Sequence, residues 1–143
     1  MGYAVQVAVD CAAPHPLADW WAETLGWEVE RSDEAFIRSM VDQGFASDDD
    51  TMRHDGRLVW KEGAAITDPS APPGTPRILF QLVPEAKSVK NRLHLDVRAG
   101  GDLESLRATL EARGATFLHV GQQGPHSWIT MADPEGNEFC ITM

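Results

Sequence analysis

From Tyr3 to Asp10 the valines at 5, 7 and 9 alternate with Gln6, Ala8 and Asp10, the period of two expected of a half-buried strand. Gln6 and Asp10 are thereby sent to the face opposite the valines. Leu17, Trp20, Trp21, Thr24 and Leu25 then recur at helical spacing, after Pro14 and Pro16 and before Gly26. A helix is expected from about Pro16 to Leu25. Trp27 to Glu30, Leu58 to Ile66 and Arg77 to Val83 read as three further strands,. Between them, Asp33 is placed to cap a helix over Glu34 to Val41, and Ser47 to Asp50 read as an acidic loop,. The Pro and Gly residues of Asp68 to Pro76 mark a turn-rich connection,.

The same succession then returns. Shifting the first segment by 88 positions lays Val5, Val7 and Val9 onto Leu93, Leu95 and Val97, Gln6 onto His94, and Gly26 onto Gly114. Asp102 can cap a helix whose Leu103, Leu106 and Leu110 share a face, and Ala115 to His119, Ser127 to Ala132 and Glu138 to Thr142 follow as strands,. Asp133-Pro134-Glu135-Gly136-Asn137 suits a tight turn between the last two,. Each copy is strand, helix, then three strands, a supersecondary unit that needs its twin to bury its apolar face. The fold class is therefore α+β, with residues 1–143 as one domain of two modules, 1–84 and 90–143.

Composition narrows the partners. With 22 acidic and 12 basic residues among 143, the formal charge of -10 repels phosphate backbones and anionic membranes,, so neither nucleic acid nor membrane is an expected partner. Cys11 and Cys140 have no CxxC spacing, and no apolar run has the length of a signal peptide or a membrane span,. These features suggest a soluble cytoplasmic protein with reduced thiols.

Leu25-Gly26-Trp27 after the first helix, Val89-Lys90-Asn91-Arg92-Leu93-His94-Leu95-Asp96, and above all Trp128 to Ile141 with its Asp-Pro-Glu-Gly-Asn turn resemble the vicinal oxygen chelate superfamily. That group includes glyoxalase I, bleomycin-resistance proteins and extradiol dioxygenases. The resemblance spans essentially the whole chain and implies two paired βαβββ modules whose curved mixed sheets form a cup, and commonly a homodimer. An apolar helix face around Trp20 and Trp21 suits such pairing.

In that superfamily metal ligands come from the first and last strands of each module, positions that here read Gln6, Gln81, His94 and Cys140. One imidazole, one thiol and two amides suit Fe(II), Mn(II) or Ni(II) poorly. Zinc tolerates His with Cys but wants a third strong donor, for which Asp96 and Glu138 are the candidates. The expectation is no tightly held cofactor, with a divalent metal on His94 and Cys140 as the alternative. His94 also reads as a hydrogen-bonded lining residue paired with Asp96 or Glu138, and Cys140 as a small buried apolar side chain.

Alternation collects Gln6, Asp10, Gln81, Arg92, His94, Asp96, Arg98, Trp128, Thr130, Glu138 and Cys140 on one kind of face,. The resemblance turns that face into a small-molecule pocket, with Trp60 and Trp128 as aromatic walls. His15, His54, His119 and His126 fall at loops or element ends and read as surface residues. Three functions fit: a small-molecule-binding protein, including the drug-sequestering bleomycin-resistance type; a metal-dependent lyase, isomerase or dioxygenase-like enzyme on a small carbonyl or oxygenated substrate, with Glu138 as general base; and a metal-independent enzyme using Glu138, His94 and Asp96.

Overall fold

The first strand, β1 (Val7–Cys11), leads into helix α1 (Pro14–Leu25) in the computed structural model, which describes residues 2–143. Pro14 and Pro16 sit in the first turn, where a missing N–H costs nothing,. Gly26 closes the helix at φ 68°, a left-handed geometry that glycine adopts without a Cβ penalty, and its N–H returns to the last turn,. β2 (Glu28–Val29) follows, then α2 (Glu34–Asp42), capped by Asp33, whose carboxylate accepts from the N–H groups of Ala35 and Phe36,. After a short 3-10 turn at Asp48–Asp50 come β3 (Thr51–His54), β4 (Arg57–Trp60), β5 (Gly63–Thr67) and β6 (Ile78–Leu82).

Chain contacts divide the molecule into two compact units, one ending at Glu85 and the other covering Ala86–Met143. In the first, the sheet order is β1-β6-β5-β2, with β1 parallel to β6. Leu17, Ala18, Trp20 and Trp21 of α1 are buried together with Ile66, Ile78 and Phe80. The two indoles meet edge to face at 5.1 Å. Burial of this kind removes the apolar helix face from which a homodimer was expected, because Trp20 and Trp21 already belong to the core of their own unit.

The stretch expected as one strand from Leu58 to Ile66 is two. β4 pairs with β3 in a separate hairpin, and only β5 joins the main sheet. Asp55 (φ 50°) and Gly56 (φ 77°) form the hairpin turn, the Asp-Gly pair that a positive-φ two-residue turn favours. β1 also starts later than expected, since its partner β6 begins at Ile78, opposite Val7. Pro76, just upstream, has no N–H with which to extend the ladder.

The second unit contains β7 (Leu95–Arg98), α3 (Leu103–Ala112), β8 (Thr116–Gln123), β9 (His126–Ala132) and β10 (Glu138–Thr142). Its sheet order, β7-β10-β9-β8, repeats that of the first unit, again with the first strand parallel to the last. β7 starts at Leu95 as β1 starts at Val7, and Gly114 has positive φ like Gly26. The repeat read from the sequence is thus a repeat of structure, with the β3–β4 hairpin and α2 as the departure from it. Asp102 caps α3 through the N–H groups of Glu104 and Ser105. Leu110, Ile129, Met131, Phe139 and Ile141 are buried. Losing the Phe139 ring from such a site costs about 3–5 kcal/mol. No helix among the described residues is long and apolar enough to cross a membrane.

Candidate functional site

Strand alternation puts Phe139 and Ile141 on the buried side of β10, so Cys140 and Thr142 take the other side,. Register then fixes their neighbours. Cys140 lies between Asp96 and Thr130, and Thr142 between Arg98 and Trp128. His94, immediately before β7, brings its Nε2 to 3.3 Å from Asp96 Oδ1. One donor atom each of His94, Asp96 and Cys140 lie within 4.8 Å of one another. His94 and Asp96 are exposed, whereas Cys140 and Thr130 are buried.

The Thr130 hydroxyl lies 3.4 Å from Cys140 Sγ. Burial pushes the Cys140 thiol up, the Thr130 contact opposes this, and the neighbouring Asp96 charge raises it further. Left to itself the thiol is protonated at neutral pH; a cation bound beside it would favour the thiolate. Trp128 completes this face by lying flat across Gly121 of β8, so closely that a Cβ at that position would overlap the indole. Glycine is required there by contact rather than by dihedral angle.

Glu138 shares the alternation of Cys140 but has other partners. Its carboxylate accepts from Lys87 Nζ at 2.9 Å and from the Asn91 N–H at 3.0 Å. Burial raises its pKa, but the Lys87 and Asn91 hydrogen bonds outweigh that and hold it at about 2. A carboxylate so weakly basic is badly matched to general-base work near neutrality. Its geometry instead ties the segment before β7 to β10. The neighbouring Asp-Pro-Glu-Gly-Asn turn is held by Asp133, 2% exposed, whose carboxylate accepts from the N–H groups of Glu135 and Asn137 and from the Asn137 amide. The most family-specific piece of sequence is therefore a surface turn anchored between β9 and β10 by one buried carboxylate.

In the first unit Asp10 faces Gln81 across β1 and β6, and both are exposed, as is Gln6 ahead of β1. Trp60 and Gln81 line a cavity of about 1120 Å³ within that unit. Arg92 is exposed in the segment leading to β7. Two of the four histidines expected at the surface are not there. His15 is buried, with Nε2 at 2.7 Å from the Trp60 carbonyl oxygen, and His54 is half-buried against Asp19. His119 and His126 are exposed as expected. The missed signal for His54 was the Asp55-Gly56 turn beside it, which folds the hairpin back on itself.

A profile of the family described as "Glyoxalase-like domain" matches residues 6–142. No curated protein matches the chain in sequence. Among solved structures, a mutant of the fosfomycin resistance protein FosX of Listeria monocytogenes, complexed with Mn(II) and 1S,2S-dihydroxypropylphosphonic acid, is similar at TM-score 0.64 and 8% identity, over 99% of this chain and 92% of that one. A member of the glyoxalase/bleomycin resistance protein/dioxygenase superfamily from Sphaerobacter thermophilus is similar at TM-score 0.57 and 16% identity, over 99% of this chain and 97% of that one. At such identities the likeness is one of fold.

Proposed function

From the premise that the chain belongs to the glyoxalase-like domain family of the vicinal oxygen chelate superfamily, we propose that it is a cation-assisted enzyme acting on a small oxygenated molecule, with His94, Asp96 and Cys140 as cation ligands. The observation that carries this is the convergence of three donors of different kinds within 4.8 Å. Of the two third donors that the sequence offers, Asp96 lies beside His94 and Cys140, whereas Glu138 is taken up by Lys87 and Asn91.

The donor set fits zinc. An imidazole, a carboxylate and a thiolate are all accepted ligands for it, and the two anionic groups balance a divalent charge. Zinc has no redox chemistry, so this set favours the lyase or isomerase class over a dioxygenase. When bound, such a cation acts as a Lewis acid toward a substrate oxygen. The protein's own share is positioning. Thr130 orients the Cys140 sulfur, Trp128 offers a flat apolar wall anchored on Gly121, and Arg98 lies on the same face to meet a negative group,. Fosfomycin resistance in a structural neighbour supports a small oxygenated substrate class for this reading.

The test is a turnover screen of small hydroxy-carbonyl, epoxide and hemithioacetal compounds with zinc supplied to chelator-treated protein. Turnover that needs zinc and disappears in His94→Ala supports the proposal. Tight binding of one compound, equal with and without zinc and never turned over, would replace it with a sequestering function.

A further inference from the structure

We propose that Asp19, His54 and Asp55 form a second binding site for a divalent cation of the zinc class, within the first unit and independent of the His94 site. His54 Nε2 lies 2.6 Å from Asp19 Oδ2 and 3.5 Å from Asp55 Oδ2, and one donor atom from each residue falls within 4.8 Å of the others. Tetrahedral zinc with bonds near 2.0–2.2 Å needs ligand atoms roughly 3.3 Å apart. The two distances from His54 Nε2 bracket that spacing. Two carboxylates and a neutral imidazole also cancel a divalent charge.

The site is a product of the segment that breaks the repeat. Asp19 comes from α1, which both units share in kind, whereas His54 and Asp55 come from the β3–β4 hairpin, which has no counterpart in the second unit. Asp55 sits at φ 50° in the hairpin turn, so a residue tolerant of that geometry was required there,. Asn and Gly tolerate it equally well, but only Asp adds a second carboxylate facing the same imidazole nitrogen.

His15 supplies the supporting layer. It is 6% exposed, its Nε2 reaches the Trp60 carbonyl oxygen at 2.7 Å, and its ring lies 5.3 Å from that of His54. A carbonyl only accepts, so this nitrogen carries the proton and the ring is fixed in place. The hairpin is thus braced against the first turn of α1 from both strands, which holds His54 beside Asp19. Fixed ligands bind a cation with less ordering cost. Asp19, His54 and Asp55 all line the cavity of about 1120 Å³. Three protein donors leave a tetrahedral cation one position for water or a small oxygen ligand, and that cavity is where it would stand.

The competing account is that His54 and Asp19 form only a latch between hairpin and helix. Equilibrium dialysis of chelator-stripped full-length protein against zinc, read by elemental analysis, separates the two. Asp55→Asn is the decisive variant, since Asn keeps the turn geometry and the exposed position carries no packing. It is expected to weaken zinc binding at this site by at least about tenfold, given that even outer-layer changes cost 10- to 100-fold, while leaving the urea midpoint unchanged. Asp19→Asn should weaken zinc binding likewise, with a lower urea midpoint because it also weakens the contact to His54. His94→Ala serves as the background in which any remaining zinc belongs to this cluster. Zinc retained in His94→Ala and lost on adding Asp55→Asn supports the site. No zinc in His94→Ala, or zinc there that survives both Asp55→Asn and Asp19→Asn, overturns it. Failure of the His94 site alone would appear differently, as zinc insensitive to His94→Ala but sensitive to Asp55→Asn.

Discussion

Replacing Asp133 with Ala should destabilise the protein by about 3 kcal/mol, although the residue lies in a loop. Its carboxylate, 2% exposed, accepts two backbone N–H groups at 2.9 and 3.0 Å and the Asn137 amide at 3.2 and 3.0 Å. Hydrogen bonds to a charged group are worth about 1.5–3 kcal/mol each, and a buried donor left unpaired costs about 1–3 kcal/mol. These four contacts share one side chain, so they do not add. Water reaching the opened turn recovers part of the loss. For a chain of this size the expected fall in Tm is roughly 6–12 °C, at about 2–4 °C per kcal/mol. Asp133→Asn keeps one acceptor oxygen and should cost only about 1 kcal/mol. Urea unfolding followed by far-ultraviolet circular dichroism gives both values. An Ala variant within about 0.5 kcal/mol of wild type, the usual range for an inert surface change, would refute the view that Asp133 anchors the turn between β9 and β10.

Gly121→Ala places a Cβ inside the Trp128 indole and should cost about 1–3 kcal/mol as an overpacking change, with an altered indole emission on folding; unchanged emission and midpoint would show that Trp128 does not rest on Gly121. The Glu138 carboxyl, held at about 2 instead of its ordinary 4.5, contributes stability that is present above pH 4.5 and lost as pH falls toward 2. Lys87→Met should flatten the dependence of Tm on pH in that window, and an identical acid slope in wild type and variant would contradict the Lys87–Glu138 pair.

The repeat and most of the elements were legible because period-two and period-3.6 patterns record which face is buried. Val7 and Leu95 begin their strands 88 residues apart, as the alignment of the two halves required. Asp33 and Asp102 cap their helices as read. The β3–β4 hairpin was missed because Leu58 to Ile66 is apolar enough to pass for one strand, although Lys61-Glu62 interrupts it where β4 ends and β5 has not begun. His15 looked like a surface residue because periodicity says nothing about a buried polar side chain that satisfies itself on a carbonyl 45 residues away. The row of Asp96, Cys140 and Thr130 followed from alternation once the strands were placed. Glu138 was the harder case. Alternation gave its face, but its pairing with Lys87 and Asn91 depends on the path of the connecting segment, which no periodic pattern encodes.

Cobalt substitution tests the central claim most directly, because a thiolate bound to Co(II) gives a near-ultraviolet charge-transfer band that oxygen and nitrogen ligands do not. The only other cysteine, Cys11, is buried with its Sγ 3.5 Å from the Gln81 carbonyl oxygen, and the Asp19–His54–Asp55 cluster contains no sulfur. Chelator-stripped protein titrated with Co(II) should develop the band and saturate it, in Cys11→Ser as in wild type. Cys140→Ser should abolish it, and His94→Ala and Asp96→Asn should weaken it at least about tenfold. Absence of the band in wild type, or a band that survives Cys140→Ser, would contradict cation binding by His94, Asp96 and Cys140.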